Sequence, residues 1–223
     1  MNLQEYPDAE VMAMGLADVI GTQLNAALRQ RDRALFVVPG GSTPGPVFDT
    51  LCGARLEWER VDIMPSDERW RPQAHLRSNA GMIAERLMVE RAASATLIPL
   101  YVADTSPEDA APGLAAALAP RLPIDVAMVG MGEDMHTASM FPRAANLEAA
   151  LAHDAPLLVP MRIEGEPEPR ITLAARVLIG AMHLHVVITG DAKRAALERA
   201  CGMDAAEAPI SALLHDATVH WAP

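Results

Sequence analysis

Short, almost wholly apolar runs alternate along this chain with longer Ala- and Leu-rich segments of helical spacing. ALFVVP (34–39), ERVDIMP (59–65), ATLIPLY (95–101), IDVAMVG (124–130) and MHLHVVITG (182–190) are too short for helices of ordinary length. They are also too continuously apolar for strands with one face in water. Buried strands covered on both faces have this character. Residues 8–31, 77–91, 107–119 and 191–201 supply the helical patterns between them, with Val11, Met14, Ala17, Val19 and Leu24 expected on the buried side of the first. Strand–helix alternation of this kind requires an α/β fold of three layers, a mostly parallel sheet flanked by helices. A further helix is expected over 171–180, after the polar, Pro-rich stretch EGEPEPR (164–170), which reads as an exposed loop. At about 100–200 residues per domain, the 223 residues are read as a single domain spanning 1–223.

Charge and cysteine content narrow the function. With 18 Lys and Arg against 29 Asp and Glu, the net charge is −11. A chain so acidic has no general basic footprint for nucleic acid and is repelled by anionic membranes. An anionic substrate would have to be met by a few cations gathered locally. Cys52 and Cys201 form no disulfide framework and suit a reducing compartment. The first residues lack the pattern of a signal peptide, and no uninterrupted apolar stretch approaches a membrane span. A cytoplasmic location is expected.

Four places carry candidate chemistry. PGGSTPG (39–45) follows a strand and precedes the helix-like VFDTL. Gly40 and Gly41 permit close backbone approach, Ser42 and Thr43 bring hydroxyls, and a helix start attracts anions. It lacks the P-loop lysine and the third glycine of G-x-G-x-x-G. An ordinary glycine turn with a Ser/Thr cap explains the local pattern equally well. SDERW (66–70) lies at the end of the strand 59–65, where open α/β sheets place ligands. Asp67 and Glu68 there could hold Arg69 for a phosphate, although a solvated charged turn is the commoner meaning of such a run.

The sharpest place is MGEDMHTASMFP (131–142), after the strand 124–130. Histidine titrates near neutral pH, so His136 suits general base work, and Asp134 is close enough to orient it. Arg170 and Lys193 begin later elements and could add cations. His183 and His185 read as structural, and His153, His215 and His220 have no evident chemical neighbours. No cysteine or histidine spacing matches a zinc site, and G-x-S-x-G is absent.

In this order, PGGSTP, SDERW with HLRSN, VGMGEDMHTASMFP, PRITL and TGDAK resemble the 6-phosphogluconolactonase family over most of the chain. The resemblance implies the fold of glucosamine-6-phosphate deaminases and ribose-5-phosphate isomerases. It implies hydrolysis of a phosphorylated sugar lactone, 6-phosphogluconolactone, to 6-phosphogluconate in the oxidative pentose phosphate pathway, with no metal or other cofactor. It places the general base on His136, the glycine-rich substrate loop on Gly40, Gly41, Ser42 and Thr43, and the substrate cations on Arg69, Arg170 and Lys193. The alternatives are an amino-sugar phosphate deaminase or isomerase, and a non-catalytic sugar-phosphate-binding protein. Such deaminases resemble this chain but carry a glutamate five residues after the loop histidine, where Phe141 stands. The family usually has glycine at the place of Met135, so Met135 is expected with φ below zero and its side chain turned away from His136.

Overall fold

In the computed structural model, which describes all 223 residues, the apolar runs form a seven-stranded parallel sheet. Its strands are β1 (Asn2–Glu5), β2 (Ala34–Val38), β3 (Val61–Pro65), β5 (Thr96–Leu97), β6 (Val126–Gly130), β9 (His183–Thr189) and β10 (Thr218–Ala222). The spatial order is β1-β10-β9-β6-β2-β3-β5. The chain builds from β2 outward through β3 to β5, then resumes on the other side of β2 with β6. The sheet therefore reverses its direction of growth between β2 and β6, where Phe36 pairs with Val126 and Val37 with Ala127. Ligands of open α/β sheets sit outside the strands' carboxyl ends at such a switch.

Alternate side chains of the central strands enter two cores. Phe36, Val38, Val126 and Met128 join a cluster with Met12, Leu16, Ile20 and Leu24 of α1 (Ala9–Leu28) and with α2 (Gly45–Leu51). Leu35, Val37, Ala127 and Val129 face a larger cluster on the other side, which includes Leu197 of α7 (Asp191–Ala200). Asp8 caps α1 by accepting from the Val11 amide at 2.8 Å.

The buried stripe of α1 includes the expected Ala17 and Leu24 but corrects the other three positions. Met12, Leu16, Ile20 and Leu24 are buried at intervals of four, whereas Val11, Met14 and Val19 are 38%, 50% and 37% exposed. An Ala-rich helix with apolar residues on most sides does not declare its inner face. By length and composition α1 could cross a membrane, and here it packs against the sheet.

The region 171–180 is also corrected. A second, antiparallel sheet has the order β4-β8-β7, from β4 (Asp67–Arg69), β8 (Arg170–Leu173) and β7 (Leu158–Met161). Arg170 thus opens a strand, and only Ala175–Ile179 is helical, as α6. A short apolar run cannot be assigned by period alone, and here pairing on both sides decides it. Nor is 164–170 simply solvated: Glu168 is buried, with its carboxylate 3.0 Å from Arg77 and 3.5 Å from Arg71. Other elements are α3 (Asn79–Arg86), α4 (Pro107–Leu118), α5 (Leu147–Leu151) and α8 (Ser211–Leu214).

His220 has a chemical neighbourhood after all. Tyr6 Oη lies 2.9 Å from His220 Nδ1, His220 Nε2 lies 3.0 Å from His185 Nδ1, and His185 Nε2 lies 2.8 Å from Gln23 Oε1. One direction of donation, from Tyr6 through both rings to Gln23, satisfies every member with the histidines neutral. Burial pulls His185 down to about 3, helped by His220, and His220 down to about 4.

Met135 has φ +66°, which overturns the expected negative value. Its amide donates to Gly132 O at 3.0 Å, and its carbonyl accepts from the Ile210 amide at 3.1 Å. The left-handed turn is held from both sides, while the side chain packs on the larger core as a gap filler.

Two outcomes are expected. The unfolded chain takes up protons on both histidines below about pH 6.5, while the folded chain resists until about 3 to 4, so this stability is present above 6.5 and lost as pH falls. Melting temperature should decline between pH 7 and 4.5, and less steeply in a His185→Gln/His220→Gln variant; equal slopes would remove the pair as the cause. At position 135, Met135→Gly should be more stable than Met135→Ala by about 1 kcal/mol in urea unfolding, because both lose the side chain and only glycine relieves the left-handed backbone.

Candidate active site

The loop after β2 is shaped to admit a ligand to its backbone. Gly41 has φ +90°, and a Cβ on Gly40 would collide with the Asn79 carboxamide. The Gly40 and Gly41 amides donate to no acceptor in the protein. Helix α2 begins at Gly45 without a side-chain cap, so Ser42 and Thr43 are not spent as cap residues. Thr43 Oγ1 accepts instead from Lys193 Nζ at 3.5 Å, across from the first turn of α7. Burial lowers the Lys193 ammonium's pKa, and Glu133 opposes that shift.

The loop after β6 carries His136. Its Nδ1 lies 2.5 Å from Asp134 Oδ1, and that hydrogen bond holds the Asp134 carboxyl below its ordinary range. The aspartate therefore stays an anion, and a neutral His136 keeps its proton on Nδ1 and a lone pair on Nε2. A Cβ on Gly132 would strike the His136 ring and the Asp134 carboxylate, so glycine there gives the ring its place. Thr137 anchors the loop by donating to Gly130 O at 2.9 Å. Ser139 donates to buried Asp67 Oδ2 at 2.5 Å.

The small sheet brings the arginines. Arg69 of β4 and Arg170 of β8 are direct cross-strand partners. Like charges placed opposite each other repel. Glu166 offsets part of this, lying 3.1 Å from the Arg170 guanidinium. The Nε atoms of both arginines are buried without a protein acceptor. Asp67 and Glu68 do not hold the Arg69 guanidinium as expected, although Glu68 accepts from the Arg69 backbone amide at 2.8 Å. Asp67 is taken by Ser66 and Ser139. Buried Glu68 caps the start of α3, accepting from the Asn79 and Ala80 amides at 2.8 Å and from Ser78 Oγ at 3.0 Å. Burial pushes its carboxyl upward against those donors.

A pocket of about 230 Å³ joins these parts. Gly40, Gly41, Ser42, Thr43, Arg69, His136, Arg170 and Lys193 all line it. Asp134 does not, and instead stands behind the ring, half in solvent. Asp67 and Asn79 also line the pocket. Asn79 ends the HLRSN stretch of the sequence, and its closeness to Gly40 depends on the packing of α3. Phe141 is stacked on His136 with ring centroids 3.8 Å apart. No three His, Cys, Asp or Glu side chains converge as a metal-binding group. The arrangement offers a base with a free nitrogen, two unused amides and three cations, within a chain of net charge −11.

The model of the family described as glucosamine-6-phosphate isomerases/6-phosphogluconolactonase matches residues 7–221. A 6-phosphogluconolactonase of Rhizobium meliloti is 38% identical, the match covering all of this chain and 99% of the relative. One from Pseudomonas putida is 36% identical, over all of this chain and 93% of the relative. The crystal structure of a 6-phosphogluconolactonase from Shewanella baltica superimposes with a TM-score of 0.95 at 31% identity, covering 100% of this chain and 98% of that one. A monomeric glucosamine-6-phosphate deaminase, 15% identical with a TM-score of 0.80, shares the fold. From the residues before its first helix to its last strand, the chain belongs to the glucosamine-6-phosphate isomerase/6-phosphogluconolactonase family.

Proposed function

We infer that this chain hydrolyses 6-phosphogluconolactone to 6-phosphogluconate, the lactone-opening step of the oxidative pentose phosphate pathway, and that residues 1–223 act as one lactonase domain in the cytoplasm. The observation that carries this reading is the shared pocket, lined by an Asp134-held His136 whose Nε2 has no protein partner together with Arg69, Arg170 and Lys193. The relatives' activity and the absence of a glutamate at position 141 support it further.

In this mechanism His136 Nε2 takes a proton from water as the water oxygen bonds to the lactone carbonyl carbon. The carbonyl electrons move to oxygen, and the Gly40 and Gly41 amides stabilise that oxyanion. Collapse re-forms the carbonyl and breaks the bond to the ring oxygen, which receives the proton from the imidazolium. One water is consumed and one hydroxyl and one carboxylic acid are formed. The acid then ionises. The arginine fork suits the remote phosphate, and anchoring it orients the carbonyl.

The test is hydrolysis of freshly generated 6-phosphogluconolactone, corrected for spontaneous opening. Wild type should be active and should release no ammonia from glucosamine 6-phosphate; ammonia release at a comparable rate would assign a deaminase instead. His136→Ala should lower kcat about 100-fold, within the usual range for a positioned base, with the fold intact. Near wild-type turnover would remove His136 from the reaction. Loss of one charge-assisted phosphate contact in Arg170→Ala should raise KM about 10-fold or more, with a smaller effect on kcat. An unchanged KM would place the phosphate elsewhere.

A further inference from the structure

Phe141 is the one aromatic side chain that touches both halves of the site. Its ring lies nearly parallel to the His136 imidazole, at 14°, with centroids 3.8 Å apart. The Arg170 guanidinium carbon is 5.2 Å from the same ring's centroid. Asp134 fixes one nitrogen of His136 and Gly132 leaves room at that edge, but neither stops the ring from tilting about its bond to Asp134. A parallel aromatic surface does. We propose that Phe141 is a positioning residue for His136, resting on the lactonase reading above: it fixes the imidazole plane so that Nε2 points into the pocket, and its π face steadies the imidazolium formed when water is deprotonated.

The physics has two parts. A cation over an aromatic face is attracted by the ring quadrupole, and the interaction strengthens as the site loses water. Neutral His136 gains less from that face than imidazolium does, so Phe141 favours the protonated ring and strengthens the base. The charged groups around His136 are Asp134, which favours the cation, and Arg69, Arg170 and Lys193, which oppose it. Asp67 and Glu133 are the nearby acids. Arg170 also approaches Phe141, so two cations would share one ring during the reaction. A glutamate at this position could act in acid–base chemistry, whereas a phenyl ring can only shape and polarise.

The decisive substitution keeps shape and changes charge distribution. Phe141 is replaced site-specifically by pentafluorophenylalanine, and Phe141→Tyr and Phe141→Leu are made alongside. His136 titration is followed by NMR, with its signals assigned from a His136→Gln variant, so this readout needs no substrate. The expected result is a His136 titration moved to lower pH in the pentafluoro and Leu proteins and close to wild type in the Tyr protein. The acid limb of kcat/KM for 6-phosphogluconolactone should move the same way. Phe141→Leu, which also frees the ring to tilt, should lose at least 10-fold in kcat. A His136 titration unmoved by the pentafluoro ring, or turnover of Phe141→Leu within twofold of wild type, would overturn the proposal. If Leu impairs folding, the near-isosteric pentafluoro protein still decides it. A wild-type protein without lactonase activity would refute the lactonase reading, and the NMR titration would still separate that failure from this one.

Discussion

The parallel pairing of β2 with β6 is the constraint on which the site depends. Each strand needs a crossover to reach its parallel neighbour, and the crossovers leave from the carboxyl ends. Because growth of the sheet reverses between these two strands, their exit loops diverge and leave a crevice instead of packing together. The glycine loop departs from one strand and the His136 loop from the other. A base and a set of free amides thus come to face the same space, although residues 40 and 136 are far apart in the chain.

Within that crevice, local charge runs against the global charge. The protein as a whole repels anions, yet Arg69 and Arg170 are forced side by side by the β4–β8 register, with Lys193 across the pocket. Two like charges opposite each other lower stability unless a counter-charge lies near. Glu166 supplies one to Arg170, and Glu166 and Glu168 together hold Arg77. The Pro-rich segment 164–170 is therefore part of the electrostatic support of the site. On the function proposed above, an entering phosphate would relieve repulsion as well as gain hydrogen bonds, so cations that cost stability in the free protein would strengthen substrate binding.

Some of this could be read along the chain and some could not, for identifiable reasons. Gly41 and His136 stand in loops directly after strongly apolar runs, and local pattern suffices to place such residues at strand ends. Arg170 did not announce its strand, because RITL is short enough for either period and only pairing with β4 and β7 settles it. Glu68 looked like a companion for Arg69 but turns inward to cap α3, a choice that depends on where Ser78 arrives. The His185–His220 contact joins positions on neighbouring strands, invisible until β9 and β10 are known to be adjacent. Met135 is judged in sequence by the intrinsic cost of a left-handed residue, while the Ile210 amide that donates to its carbonyl and helps hold the turn lies outside any local window.

A lactone whose phosphate lies several bonds from its carbonyl places a further demand on the fold. His136 lies in a loop after a strand of the large sheet while the arginines lie in the small one, so their separation has to be set by something stiffer than the loop. Ser139 provides the link. Its hydroxyl donates to Asp67 of β4 at 2.5 Å, and its amide donates to Thr172 Oγ1 on β8 at 3.3 Å. All three residues are buried, so breaking either bond would leave polar groups without partners in a site of low dielectric, at a cost of about 1–3 kcal/mol for each. Asp67 is also tied to Ser66 and, through its carbonyl, to Asn79 at 2.7 Å, which packs beneath Gly40. The glycine loop, the His136 loop and the arginine strands are thus held together by one buried polar network. That network gives a buried serine and aspartate beside the pocket a structural part: they hold the distance between the paired arginines and the His136 imidazole.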